Sequence, residues 1–232
     1  MGIFTLTALE REAVALSLQV AGWAVVLSLP VGILTAWALA RGRFPGKSLL
    51  EALVHLPLVL PPVVMGYLLL VLLGRNGAIG GPLFTYLGIS LAFTWKGAVL
   101  TAAVMAFPLL VRAVRLSLES VDPGLEAAAR TLGAGPVTVF FTVTLPLMAP
   151  GILTGTLLAF ARSLGEFGAT ITFVSNIRGE TQTLPLALYT LTQVPAGETG
   201  AMRLCILSVL IAMVALIVSE TLARRVAARM KA

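Results

Sequence analysis

Residues 13–40 read A-V-A-L-S-L-Q-V-A-G-W-A-V-V-L-S-L-P-V-G-I-L-T-A-W-A-L-A, and no side chain in this stretch carries a charge. A bilayer crossing needs about 20 mostly apolar residues, so the stretch is long enough to cross a membrane as one helix. The whole chain has the same character, because 58% of its 232 residues are hydrophobic and 11% are charged. An ordinary soluble domain carries about 25% charged residues. The composition therefore indicates an integral membrane protein and argues against a soluble enzyme, a nucleic-acid-binding protein and a disordered chain.

Four further apolar stretches are candidates for crossing a bilayer. They cover residues 52–74, about 89–111 with Lys96 inside, 146–161, and 204 to about 223. The fourth span reaches residue 174 if Arg162 and Glu166 lie within it. These stretches predict an all-α membrane protein with five transmembrane helices. The alternative is a sixth pass, or a re-entrant segment between residues 167 and 194.

Basic residues are concentrated in alternate connections between the predicted spans. The connections after the first, third and fifth spans contain Arg41, Arg43 and Lys47, then Arg112, Arg115 and Arg130, then Arg224, Arg225, Arg229 and Lys231. By the positive-inside rule, this pattern predicts an N-terminus outside and a C-terminus in the cytoplasm. The net charge of +6 therefore reflects orientation in the membrane and requires no nucleic-acid partner. The single cysteine, Cys205, excludes an internal disulfide, and the single histidine, His55, has no second Cys or His with which to form a metal site.

Prolines interrupt the predicted spans at specific places. Residues 55–62 read H-L-P-L-V-L-P-P, which places Pro57, Pro61 and Pro62 close together. A proline removes a helix hydrogen bond, and lipid tolerates this only where protein or water satisfies the freed carbonyl group. Residues 165–168, G-E-F-G, form a second candidate break. The pattern predicts bent helices packed around a path.

The connection between the third and fourth spans has the signals of a short helical elbow. Residues 122–146 read D-P-G-L-E-A-A-A-R-T-L-G-A-G-P-V-T-V-F-F-T-V-T-L-P. Asp122 is a favourable N-cap, Pro123 suits the first helical position, and Gly133 supplies a C-terminal stop. A second short helix can start at Pro136 and lead into the fourth span.

The first helix of this connection is amphipathic. Glu126 and Arg130 are four residues apart in the order that favours an ion pair. A short apolar stripe is formed by Leu125, Ala128, Ala129 and Leu132. Such a helix either lies on lipid headgroups or docks into a groove of a cytoplasmic partner, and its small alanine residues would permit close approach.

The same residues carry a resemblance to a known family. Glu126-Ala127-Ala128, then Gly133, then nine residues to Val143-Thr144-Leu145-Pro146, resembles the EAA loop of bacterial ABC-importer permeases. The pattern of that loop is E-A-A, three residues, G, nine residues and I-x-L-P, and Val143 replaces the isoleucine. In that family, the elbow is the coupling helix that fits a cleft on the ATPase subunit.

The resemblance extends over most of the chain. The segments F-P-G-K at 44–47, H-L-P-L-V-L-P-P-V-V at 55–64, G-R at 74–75 and A-R-S-L-G-E-F-G-A-T at 161–170 look like the permease subunit of molybdate importers. Sulfate/thiosulfate permeases share a related L-G-E-[FY]-G core. Residues 167–176, F-G-A-T-I-T-F-V-S-N, are more similar to the molybdate branch.

The resemblance implies a type I ABC importer permease fold and a single permease domain over residues 1–232, with the coupling elbow at about 122–146. It assigns ATPase coupling to Glu126, Ala127, Ala128, Gly133, Val143, Leu145 and Pro146. For the translocation path or gate we expect Pro57, Pro61, Pro62, Ser163, Gly165, Glu166, Phe167, Gly168 and Thr170. The resemblance implies inward transport of molybdate by alternating access, and no catalytic residue or metal ligand is expected in the chain.

The resemblance also implies the partners. These are two copies of an ABC ATPase, a second copy of this chain, a periplasmic or lipid-anchored molybdate-binding protein, and the lipid of the bacterial inner membrane. ATP and Mg would bind to the ATPase. Residues 42–48, G-R-F-P-G-K-S, lack the first glycine of a phosphate-binding loop, so no nucleotide or other cofactor is expected here.

Glu166 is an ionisable residue at predicted membrane depth, which marks it for a function. Since its carboxylate would repel an anion, we expect it to pair with Arg162 or to cap backbone N–H groups in the adjacent break. A gating role is the alternative. For the whole chain, the alternative substrates are sulfate/thiosulfate and tungstate, and the alternative class is an ion-driven secondary transporter.

Overall fold

The computed structural model describes residues 6–195 and 197–231, with side chains through Leu222 except those of Ser219 and Glu220. This part of the chain is helical and contains no strand. The helices are α1 (Ala8–Arg41), α2 (Lys47–Val59), α3 (Pro62–Leu73), α4 (Gly80–Leu87), α5 (Trp95–Glu119), α6 (Pro123–Thr131), α7 (Pro136–Val139), α8 (Leu145–Leu147), α9 (Ala149–Leu164), α10 (Gly168–Val174), α11 (Leu184–Thr192) and α12 (Glu198–Lys231). A π-helical turn, Phe140–Thr144, joins α7 to α8. The side chains of Arg224, Arg225, Arg229 and Lys231, predicted to mark the cytoplasmic tail, lie outside the described part.

Three helices are long and apolar enough to cross a membrane: α1, α5 and the first part of α12, Glu198–Val218. They confirm the first, third and fifth predicted spans. Helix α1 begins earlier than its apolar stretch because Thr7 and Glu10 form a capping box. The Glu10 carboxylate also accepts a hydrogen bond of 2.8 Å from Arg203 at the start of α12.

The second predicted span is broken. Residues 52–74 were expected to form one crossing, but α2 and α3 meet at an angle of 118° around Leu60 and Pro61. Neither Pro61 nor Pro62 can donate a helix hydrogen bond, and a proline forces the residue before it into extended backbone. Leu60 and Pro61 have ψ values of 143° and 136°, which end α2 and start α3 in a new direction.

The fourth predicted span is also bent. Residues 136–147 and α9 meet at 66°, and α9 ends at Leu164 instead of continuing to residue 174. Arg162 therefore lies inside α9, whereas Glu166 lies in the break before α10. Helices α10 and α11, which occupy the region expected to hold a sixth pass or a re-entrant segment, have 7 and 9 residues. Each is too short to cross a bilayer alone. If each bent pair is one span, the described residues contain five.

Helix α5 forms the centre of the bundle. Its C-terminal half packs Leu110, Val111 and Val114 against α1 and α9 in the main hydrophobic cluster. In the most apolar segment of α5, 61% of the residues are buried, whereas in that of α12 only 6% are buried. The bundle thus packs α1 and α9 against α5, with the elbow between α5 and α9.

Candidate functional site

The elbow, residues 122–146, begins as its local sequence predicts, and its first helix, α6, ends as predicted. The Asp122 carboxylate accepts a hydrogen bond of 2.8 Å from the backbone N–H of Gly124, and Pro123 is the first helical residue. At the C-terminal end of α6, Gly133 has a φ of +86°. The N–H groups of Gly133 and Ala134 donate to the carbonyl oxygens of Arg130 and Ala129. These two bonds form a Schellman motif, which requires the left-handed backbone that glycine adopts most easily.

The outer surface of the elbow exposes large apolar side chains among polar ones. Helix α6 contains no buried residue. Leu132 is 89% exposed, and the other exposed apolar side chains are those of Leu125, Val137 and Phe141. Ala127 and Ala128 are also exposed, whereas Val143 and Leu145 are half-buried. The elbow therefore presents large apolar side chains that the rest of this chain does not cover.

Glu126 differs from its neighbours because its carboxylate points back into the chain. Its side chain is 16% exposed. The Thr144 hydroxyl donates to Glu126 Oε1 at 2.8 Å, and Nη2 of Arg41 lies 3.5 Å from the same oxygen. The predicted ion pair between Glu126 and Arg130 is absent among the described residues. An exposed pair of that kind contributes only about 0.3–0.5 kcal/mol, whereas a buried hydroxyl donating to a carboxylate forms a stronger, charge-assisted bond.

The position of Glu126 within the motif also needs correction. Four residues, not three, separate Ala128 from Gly133. When Gly133 and the following Leu145-Pro146 are matched to the E-A-A pattern, the first position falls on Ala127, and Glu126 precedes it. One residue corresponds to about 100° of rotation around a helix. The carboxylate therefore points in a different direction from that of the first motif position.

The two helix breaks lie against each other. A Cβ atom built on Gly168 would be 2.9 Å from Cβ of Pro62, and one built on Gly66 would be 2.5 Å from the carbonyl oxygen of Ala169. At both positions the neighbouring segment approaches so closely that only glycine, which has no side chain, fits without a shift. The junction, as we call the contact between residues 60–66 and 165–172, thus brings together two segments that the sequence assigned to the path.

Glu166 is buried at the junction. Its Oε1 accepts a hydrogen bond of 2.9 Å from the backbone N–H of Ala169, and Nη1 of Arg162 lies 2.7 Å from its Oε2. Both contacts expected as alternatives are present, although the Arg162 contact is an ion pair without the alignment of a hydrogen bond. The nearby Ser163 hydroxyl is buried without a hydrogen-bond partner in the described structure.

The remaining predicted path residues occupy different surroundings. Thr170 is buried in α10, the Phe167 ring contacts Tyr189 of α11 with centroids 5.3 Å apart, and Pro61 and Gly165 are exposed. Pro57 lies away from the junction and lines an apolar cavity of about 780 Å³ between α1, α2 and α5. Within the described residues, no group of three or more His, Cys, Asp or Glu side chains could hold a metal ion.

Several polar contacts were not predicted, among them three that involve Glu126 or Glu180. The charge pattern marks Arg41 only for orientation, and Thr144 occupies the unspecified position of the L-P motif, so no local pattern connects either residue to Glu126. Glu180 accepts a hydrogen bond of 3.2 Å from the backbone N–H of Trp95 and so helps to cap α5. These partners are far apart in the sequence, and no spacing rule connects them.

Comparisons with known proteins agree on one family. The family model of the binding-protein-dependent transport system inner membrane component matches residues 28–232. The molybdenum transport system permease protein ModB of Escherichia coli is 66% identical over 219 residues, covering 94% of this chain and 96% of that protein. Its counterpart in Haemophilus influenzae is 58% identical over 217 residues, with coverages of 94% and 95%.

A solved structure agrees in fold. A bacterial ABC transporter involved in the import of alginate superposes with a TM-score of 0.74 at 16% identity, covering 95% of this chain and 80% of that chain. The family model and both relatives extend over most of the chain. The chain therefore belongs to the family of binding-protein-dependent transport system inner membrane components, alongside the molybdenum transport system permeases.

Proposed function

We propose that this chain is the permease subunit of an ATP-driven importer that moves molybdate inward across the cytoplasmic membrane. The observation that carries the proposal is the elbow, a capped helical segment with an uncovered apolar surface between two spans. The relatives named for molybdenum transport support the choice of substrate, because they match almost the full chain. The family supports a location in the inner membrane as a multi-pass protein.

The elbow would bind a cleft of an ABC ATPase. Its exposed apolar residues, headed by Leu132, would enter the cleft, while Ala127 and Ala128 would allow the two surfaces to approach closely. Gly133 would keep the elbow in shape, and the Val143-Thr144-Leu145-Pro146 segment would connect it to α9. With the basic connections on the inner side of the membrane, the elbow and the C-terminus would be cytoplasmic and the N-terminus would be outside.

The path would run beside the junction, and a second copy of this chain would supply its other wall. A dianion cannot enter an apolar medium, since the idealised cost of moving even one charge is tens of kcal/mol. Hydroxyl groups and the backbone of broken helices can replace water along such a path. The buried, unpartnered Ser163 hydroxyl beside the break suits that role. Glu166, held by Arg162, would shape the break without binding the anion.

The chain itself would perform no covalent chemistry and bind no cofactor. Two ATPase subunits with ATP and Mg would drive alternating access, and a periplasmic or lipid-anchored binding protein would deliver the anion to the outer loops. Specificity would then lie mainly in the binding protein.

Uptake of labelled molybdate in a strain lacking this chain tests the proposal. We expect the chain to restore uptake, with tungstate and sulfate added as competitors to rank the substrates. Loss of sulfate uptake alone in the deletion strain would refute the choice of molybdate. Uptake that persists when the ATPase is inactivated, but collapses with an ionophore, would instead identify an ion-driven transporter.

A further inference from the structure

The carboxylate of Glu126 joins three parts of the chain. It starts from α6 in the elbow, accepts a hydrogen bond of 2.8 Å from Thr144, and lies 3.5 Å from the Arg41 guanidinium at the end of α1. Thr144 leads through α8 into α9. Helices α1 and α9 both pack on α5 in the main hydrophobic cluster. One side chain therefore connects α6 directly to the end of α1 and, through Thr144 at the far end of the elbow, to the start of α9.

Thr144 makes this contact instead of the local bond that threonine usually makes in a helix. Thr142, two residues earlier, donates its hydroxyl to the carbonyl oxygen of Thr138 at 2.7 Å, four residues back. The Thr144 hydroxyl donates to Glu126, eighteen residues away in the sequence. Thr144 is 3% exposed, so it cannot touch a partner protein from its present position. Its contact with Glu126 is therefore internal to the permease.

The backbone around Thr144 is unusual. Residues Phe140–Thr144 form a π-helical turn, a rare conformation that often occurs at functional positions. The contact between Arg41 and Glu126, at 3.5 Å, is at the outer limit of a hydrogen bond. The Nε atom of Arg41 is buried without a partner among the described residues. Of the two contacts with Glu126, the Arg41 contact is therefore the longer and weaker, and the Thr144 bond the shorter and stronger.

We infer that Glu126 is a positioning residue that transmits movement of the elbow to α1 and α9, and that it acts inside the permease without binding the ATPase. The inference rests on the proposed function, because it takes the elbow as the point at which the ATPase acts. It assigns the ATPase contact to the exposed apolar residues and the transmission to the Glu126, Thr144 and Arg41 cluster.

The test uses the complete importer, purified with its ATPase and binding protein and reconstituted in liposomes. Thr144→Val preserves the shape of the side chain and removes the hydroxyl, and Glu126→Gln removes the charge. For both variants we expect unchanged binding of the ATPase and a roughly tenfold increase in ATP hydrolysed per anion transported, within the range typical of coupling between two sites. Thr142→Val is the matched control and should behave as the unaltered chain.

Two further variants separate transmission from folding. Thr144→Ser retains the hydroxyl and should restore coupling. The double variant Glu126→Gln with Thr144→Val should be no worse than the more severe single variant, because both act on the same bond: Thr144→Val removes its donor, and Glu126→Gln keeps an acceptor but loses the charge that strengthens it. If Glu126→Gln abolishes ATPase binding while Thr144→Val has no effect, Glu126 binds the ATPase and the inference is wrong. If both variants couple normally, it is wrong as well. Failure of the unaltered chain to bind any ATPase would refute the proposed function itself.

Discussion

Replacement of Gly66 by alanine tests the junction most directly. Alanine is about 1 kcal/mol more favourable than glycine inside a helix, so the exchange stabilises α3 if the site has room. At Gly66 it has none, since the new Cβ would lie 2.5 Å from the carbonyl oxygen of Ala169 and 2.8 Å from Cβ of Thr172. Carbon atoms normally approach to about 3.5–4.0 Å. Helices α3 and α10 must therefore move apart by about 1 Å.

The free energy of that movement follows from comparable overpacking, which typically costs 1–3 kcal/mol. Gly22→Ala is the matched control, because it lies in α1 and an added Cβ meets no atom within 4 Å. Both variants gain the same helix propensity, so their stabilities should differ by about 1–3 kcal/mol, with Gly66→Ala the less stable.

Chemical unfolding of the purified protein in detergent, followed by tryptophan fluorescence, measures this difference. Uptake measurements in cells supply the second readout, since separation of the two breaks should slow transport in Gly66→Ala and leave Gly22→Ala normal. Equal stability and equal uptake for the two variants would show that α3 and α10 do not pack at this distance, and the junction would have to be abandoned as a site.

Three further substitutions test the elbow and the buried ion pair. Gly133→Ala places a side chain at a φ of +86°, which costs about 1–2 kcal/mol in the elbow. Less ATPase should therefore co-purify than with the control Gly135→Ala, and equal recovery of ATPase would contradict this. Leu132→Ser should leave unfolding within about 0.5 kcal/mol of the unaltered chain and weaken ATPase binding about tenfold by titration; unchanged affinity would place Leu132 outside the contact. Glu166→Gln keeps an acceptor for the Ala169 N–H and loses the charge that faces Arg162. It should therefore lower stability by about 1–3 kcal/mol and impair uptake, and unchanged unfolding and transport would exclude both a structural and a gating role.

The parts of this fold that were predictable depend on local chemistry. The apolar stretch of α5, the Asp122 cap and the Gly133 stop each need only a few neighbouring residues to form, so the sequence contains the full signal. The same holds for the break at Pro61 and Pro62, where missing N–H groups prevent a straight helix. The sequence did not show that this break turns the chain by 118°, because the angle depends on the packing of α3 against α10.

The parts that were missed depend on residues far apart in the chain. The i,i+4 rule gives Glu126 the partner Arg130, but the folded chain offers it Arg41 and Thr144, and a buried hydroxyl outcompetes a solvated guanidinium. A glycine such as Gly66 shows that a close approach is possible without showing which segment approaches. The direction of a side chain on a helix with few buried residues is set by its tertiary partners.

The junction has a consequence for the synthesis of this protein. Gly66 leaves the ribosome about a hundred residues before Ala169, the residue on which it packs. At synthesis rates of about 5–20 residues per second, the break at Pro61 and Pro62 waits on the order of 5–20 s for its partner. During that interval α3 lies at a membrane without the helix that later packs against Gly66. Completion of the junction is therefore a late step in biogenesis, and substitutions that prevent it should expose the nascent permease to membrane quality control before the importer is assembled.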